Sequence, residues 1–146
     1  MKKILFILLL SIPSFAFAQL EKPVKWSFYA KKVNSTEAII YIKAKMSGKW
    51  HIYAQTVKQD AMRLKFNYAN SRDYSVVGKT AEPKPIKKYD NVVKMELAYF
   101  EKEAVFTQKI KLAKSSAVVK ATVEFMACND KQCLPADEVL LSVPIK

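Results

Sequence analysis

The 146-residue chain carries 25 lysines and arginines against 13 aspartates and glutamates, a net charge of +12, and 51% of its residues are hydrophobic. Two glycines cannot furnish a phosphate-cradling loop, no Ser-His-Asp or paired-carboxylate arrangement stands out, and one histidine beside two cysteines falls short of a four-ligand zinc set. Nucleotide, hydrolase and zinc chemistry are set aside on these grounds, and neither a cofactor nor a metal is expected.

The first predicted element is a secretory signal over residues 1–18: Lys2 and Lys3, an apolar run from Ile4 to Ile12, Pro13 as breaker and Ala16-Phe17-Ala18 as cleavage site. The run is about half the ~20 apolar residues that a membrane-spanning helix needs. Cleavage near Ala18 is expected, leaving residues 19–146 as one domain in the periplasm with no stable membrane insertion. Export places the cysteines where disulfides persist. It also removes the opportunity to meet nucleic acid, for which no recognition helix appears.

From Gln19 onward the apolar residues recur with period two, the mark of half-buried strands. Predicted strands run Val24 to Tyr29, Ala38 to Met46, Trp50 to Ala54, Met62 to Tyr68 and Tyr74 to Val77. Further along come Val93 to Phe100, Ala104 to Leu112, Val119 to Ala127 and Glu138 to Ile145. Turn residues separate them, among them Asn34-Ser35, Ser47-Gly48, Asn70-Ser71, Ser115-Ser116 and Asn129-Asp130. Short strands at this spacing define an all-β chain, and an immunoglobulin-like antiparallel β-sandwich is expected, with a small closed barrel as the alternative. Pro83 and Pro85 predict a loop over Ala81 to Asp90. Most lysines, Lys43, Lys45, Lys109 and Lys111 among them, fall on the outer parity of strands or in loops, as on any solvated face.

The two cysteines lie five positions apart in Phe125-Met-Ala-Cys128-Asn-Asp-Lys-Gln-Cys133-Leu-Pro135. In the strand before them Val119, Ala121, Val123, Phe125 and Ala127 share one face, so Cys128 falls on the opposite, polar side, where a partner's thiol can reach a disulfide. Asn-Asp opens a turn, and flanking strands would bring the two Cα atoms to the ~5.5 Å that a disulfide prefers. Closing so short a ring contributes only ~2 kcal/mol on the loop-entropy account, a modest reason to have it. The residues alone leave a redox-active pair and a passive clip both open, since Lys131 favours a thiolate and Asp130 opposes it. Scattered methionines such as Met46, Met62, Met95 and Met126 are simplest as core fillers.

Phe125-x-Ala-Cys128-x4-Cys133-Leu-Pro135, followed by a terminal strand, resembles the active-site hairpin of the N-terminal periplasmic domain of the thiol:disulfide interchange protein DsbD. It is also similar to free-standing exported relatives of the disulfide bond corrector type. Gly48-Lys-Trp50-His51-Ile-Tyr53 resembles the strand that lines the cysteine site in that family, and Glu82 to Asp90 resembles its cap-loop region. The resemblance implies an immunoglobulin-like sandwich that relays electrons by disulfide exchange, with Cys133 forming the mixed disulfide and Cys128 resolving it. It places His51 and Tyr53 beside the pair and a cap around Tyr89, Asp90, Val92 and Val93 over it. The implied partners are thioredoxin-like and membrane thiol-disulfide exchange proteins. The chain departs from the pattern in a shorter cysteine spacer, in Ala136 where a second proline is expected, and in Val92 and Val93 where an aromatic shield is expected. It ends at Lys146 without the membrane-spanning and thioredoxin-like domains of the full-length protein, so the expected donor is a separate polypeptide. The rival from another class is a non-catalytic exported immunoglobulin-like binding module whose disulfide only pins the last hairpin.

Overall fold

Alternation of apolar and polar residues becomes, in the computed structural model, eleven strands over residues 22–90 and 94–146, the residues the structure describes. The expected signal, residues 1–18, and Val92 and Val93 of the expected cap lie outside these residues. The strands are β1 (Val24–Lys32), β2 (Glu37–Met46), β3 (His51–Tyr53), β4 (Lys65–Tyr68), β5 (Tyr74–Ala81) and β6 (Ile86–Asp90). They continue with β7 (Met95–Glu101), β8 (Glu103–Leu112), β9 (Ala117–Phe125), β10 (Ala127–Cys128) and β11 (Asp137–Ile145). No helix occurs among the described residues.

Every pairing is antiparallel, in three sheets ordered β1-β2-β8-β5, β10-β3-β7-β6 and β11-β9-β4. These open sheets, each with two edges, take the place of the barrel alternative. Only Met126 separates β9 from β10, so one nearly continuous strand belongs to two sheets and ties them together. The inward residues of all three sheets meet in one core: Ile40, Ile42 and Ile110 from the first, Ile52 and Phe100 from the second, Val119, Val123 and Val143 from the third. Phe106 of β8, fully buried, lies at their junction. Its ring centroid is 6.4 Å from Trp26 on β1, 5.3 Å from Phe100 on β7 and 5.1 Å from Phe66 on β4.

Polar accounting inside the first sheet is equally local. Gly78, at a φ of 71° that side chains disfavour, sits where the register of β5 on β8 shifts between Val77 and Ala81. Such a bulge strands backbone groups, and buried Gln108 answers it. Its Nε2 donates to Val77 O at 3.0 Å, and its Oε1 accepts from Thr80 Oγ1 at 2.8 Å.

Ala81 to Asp90 is not the expected loop. Only residues 82–85, with both prolines, are irregular; Ile86–Asp90 forms β6, paired with β7 from Ile86↔Tyr99 to Asp90↔Met95. Prolines exclude a strand where they stand, not one that begins just after them, and β6 is an edge with hydrogen bonds to make on one side only. The predicted Met62 to Tyr68 strand is likewise shortened to Lys65–Tyr68, because Arg63 N bonds back to Gln59 O and Asp60 O in a turn.

Candidate functional site

Strand β3 is short, and its alternation divides its work. Ile52 points into the core, fully buried, while His51 and Tyr53 point to the outer face of the β10-β3-β7-β6 sheet. The chain enters β3 through Ser47-Gly48, where Trp50 N bonds Ser47 O at 3.1 Å and Gly48 holds a φ of 55°. Register then decides the neighbours of each side chain. Cys128 lies opposite His51, His51 opposite Glu101, and Tyr53 opposite Tyr99. The His51 ring is 5.4 Å from Tyr53, edge to face, and 4.9 Å from Tyr99.

Beyond Cys128 the chain turns back on itself. The amides of Lys131 and Gln132 donate to Asn129 Oδ1 at 2.8 and 2.9 Å, the turn chemistry expected of Asn129-Asp130. Asn129 N bonds Gln132 O and Leu134 N bonds Ala127 O, both at 2.9 Å, so Cys128 and Cys133 face each other as a pair between the hydrogen bonds of an antiparallel bridge. That is the kind of pair in which side chains come closest. The Cα atoms are 4.0 Å apart, nearer than the separation expected from sequence, and the sulfurs are bonded.

The two cysteines differ in exposure. Cys128 keeps the side that parity assigned, opposite buried Ala127, yet it is only 2% exposed. Parity fixes the direction of a side chain and not what folds over it; here the returning arm covers Cys128 with Cys133, which is itself exposed. The accessible cysteine is therefore Cys133, not Cys128.

Both cysteines line an open cleft of about 490 Å³. His51 and Tyr53, expected beside the pair, and Tyr89 and Asp90, expected in a cap over it, line it too. Four further residues were not singled out from the sequence: Lys88, Leu97, Tyr99 and Glu101. The cleft is a face of the sheet, β10 through β6, with Tyr89 of β6, 58% exposed, among its lining residues.

Burial raises the Tyr53 phenol above its usual range, with nearby Asp90 adding to the effect, so the hydroxyl stays protonated near neutral pH. Burial lowers the His51 pKa below 6.5, only partly opposed by Glu101 and Asp130. His51 is therefore neutral at pH 7. Because the unfolded chain takes up this proton more readily than the folded one, the His51 contribution to stability is complete above about pH 6.5. It is lost progressively as pH falls through the window between 6.5 and the lower folded value. In His51→Gln this part of the pH dependence is expected to vanish, read from urea midpoints at pH 7 and pH 5; an unchanged slope would place the linkage elsewhere.

A sandwich that carries a disulfide at the wall of an aromatic cleft defines a class: a folded β-domain with a surface disulfide, one cysteine exposed and the other buried. The family described as thiol:disulfide interchange protein DsbD, N-terminal, matches residues 18–144, and the chain belongs to it. Comparison with curated proteins gives no match. Among solved structures, the N-terminal periplasmic domain of ScsB from Proteus mirabilis aligns with a TM-score of 0.61 at 15% identity, over 84% of this chain and 46% of that one. This chain thus spans less than half the length of that ScsB chain. The Neisseria meningitidis DsbD N-terminal domain in its reduced form gives 0.51 at 12% identity, over 79% of this chain and 82% of that one. The same domain in complex with the PilB N-terminal domain gives 0.52 at 12%, over 79% and 80%. The fold is the immunoglobulin-like sandwich of these domains.

Proposed function

We propose that the chain, exported and cleaved near Ala18 to leave residues 19–146, works in the periplasm as an electron relay between thiol-disulfide partners. The observation that carries this reading is the asymmetry of the disulfide: Cys133 exposed, Cys128 buried behind it at a cleft open to a partner. A thiolate attacks a disulfide in line with the sulfur–sulfur bond. Approach from solvent therefore meets Cys133 and expels Cys128.

In the loading step a thiolate of a reduced, thioredoxin-like or membrane-bound donor attacks Cys133 Sγ. The Cys128–Cys133 bond breaks, a donor–Cys133 mixed disulfide forms, and the Cys128 thiolate leaves and takes up a proton. The donor's second thiolate then attacks its own sulfur in the mixed disulfide and releases Cys133, so that two electrons have passed and the donor is oxidised. Unloading runs the other way. The Cys133 thiolate attacks an acceptor's disulfide, and the Cys128 thiolate attacks Cys133 Sγ, re-forming the internal bond and releasing the acceptor reduced. In this reading His51, directly across from Cys128, accepts or returns the proton of that thiol, and Tyr53, which lines the same cleft, donates a hydrogen bond to its thiolate; the register of His51 on Cys128 supports the first role.

Equilibration with glutathione and thioredoxin buffers tests the reading. A relay is expected near the thioredoxin range, at about −270 mV or above, while a bridge that only pins the hairpin would resist reduction to below about −300 mV. The second outcome would leave an exported sandwich whose disulfide is structural.

A further inference from the structure

The outer face of the β1-β2-β8-β5 sheet takes no part in the cleft, and strand register brings the scattered lysines together on it. Along β1, Lys25 and Lys31 point outward, opposite Lys45 and Ile39 of β2; Lys109 of β8 lies beside Ile39, and Lys111 beside Glu37. Lys43 completes a set of six. The only acidic side chains in these outward rows are already engaged, Glu103 with Lys43 at 2.8 Å and Glu37 with Asn34 Nδ2 at 2.7 Å. Among the described residues, Lys25, Lys31, Lys45, Lys109 and Lys111 form no ion pair. Lys25 and Lys45 stand directly across from one another, an arrangement that costs the sheet stability.

Between the two lysine-bearing ends lies an amphipathic centre. Tyr29 and Tyr41 stack at 4.7 Å and 7°, Tyr29 is 58% exposed, and Val105, across from Lys43, and Val77, across from Lys109, add exposed apolar surface in the flanking rows. The outward residues of these four strands form one broad sheet face. Four strands at ~4.8 Å spacing make it about 15 Å wide.

From this we infer that the β1-β2-β8-β5 face is a docking surface for an anionic lipid bilayer, on which the protein rests peripherally without insertion. A plane of phosphates complements a plane of ammonium groups, whose apolar stems extend along the surface while their heads stay wet. Tyrosine rings, apolar in body and polar at the tip, suit the headgroup layer. The face is independent of the cysteine chemistry, and its affinity falls with salt because exposed charges act only within a Debye length.

The test is co-sedimentation of residues 19–146, which hold every described strand and the whole core, with phosphatidylglycerol–phosphatidylcholine vesicles and with phosphatidylcholine vesicles alone. Binding is expected only to the anionic vesicles, lost at about 0.5 M salt and unchanged by reductant. Each lysine near such a surface changes binding about fivefold, so Lys31→Glu with Lys109→Glu is expected to lower it by at least about twentyfold. Lys58→Glu with Lys120→Glu, the same change in net charge elsewhere, should lower it less than about threefold. Lys25→Glu, which replaces the repulsion from Lys45 with an attraction on the edge strand β1, should weaken binding about fivefold or more while leaving the unfolding midpoint unchanged or higher, and so reports binding even if the double variant fails to fold. Equal losses in the two double variants would overturn the inference in favour of net charge alone. So would absence of binding to anionic vesicles at low salt, or binding of a dissolved polyanion such as heparin without binding of vesicles.

Discussion

Serine at Cys133 is expected to abolish mixed-disulfide formation, and serine at Cys128 to trap it. In Cys128→Ser the exposed sulfur of Cys133 can still attack a thioredoxin-like partner's disulfide, but no neighbouring thiolate remains to resolve the product, so the adduct accumulates. In Cys133→Ser the remaining thiol is the one that is 2% exposed, beneath the arm that carries residue 133. The contrast should be all or none on a non-reducing gel, with the trapped partner identified by mass spectrometry. Adducts of equal yield from both variants would show that burial does not select the attacking sulfur. No adduct from either would remove disulfide exchange as the function.

The second large effect is on stability. Phe106→Ala is expected to cost 3–5 kcal/mol, the usual range for emptying a buried aromatic site. The upper half of that range is favoured because the ring touches aromatic partners from all three sheets, and their separate backbones cannot collapse together to fill the hole. Against a total stability of about 5–15 kcal/mol the loss is severe. Phe28→Ala, at a site already 37% exposed, is expected to cost less than half as much. Urea midpoints at constant slope measure both. A Phe106→Ala shift worth under about 1 kcal/mol would mean that the three sheets do not share the core described above.

Much of this architecture is visible in the sequence because the strands are half-buried. In β2 and β8 inward residues such as Ile40, Ile42, Phe106 and Ile110 alternate with outward ones, and period two marks both strands within a residue or two of their ends. The cysteine hairpin, with His51 and Tyr53 beside it, is legible through its family likeness. What the sequence does not display is pairing. Tyr99 and Glu101 enter the cleft because β7 lies beside β3 in a particular register, and nothing in the local pattern of Met95–Glu101 specifies that neighbour. Lys88 enters through β6, which the prolines at 83 and 85 concealed. The lysine face was hidden for the same reason: Lys31, Lys43 and Lys109 are far apart along the chain and become neighbours only through strand order.

The two-residue strand Ala127–Cys128 anchors the disulfide without depending on it. Its pairing with His51 and Ile52 is made of backbone bonds that do not involve sulfur, and the amide of Leu134 holds the outer arm to Ala127 independently of the bridge. Severing the bridge thus leaves Cys128 at its post and Cys133 still poised above it. Under the proposed relay, oxidised and reduced forms are then expected to share one scaffold and to offer a visiting protein the same contours before and after electrons pass.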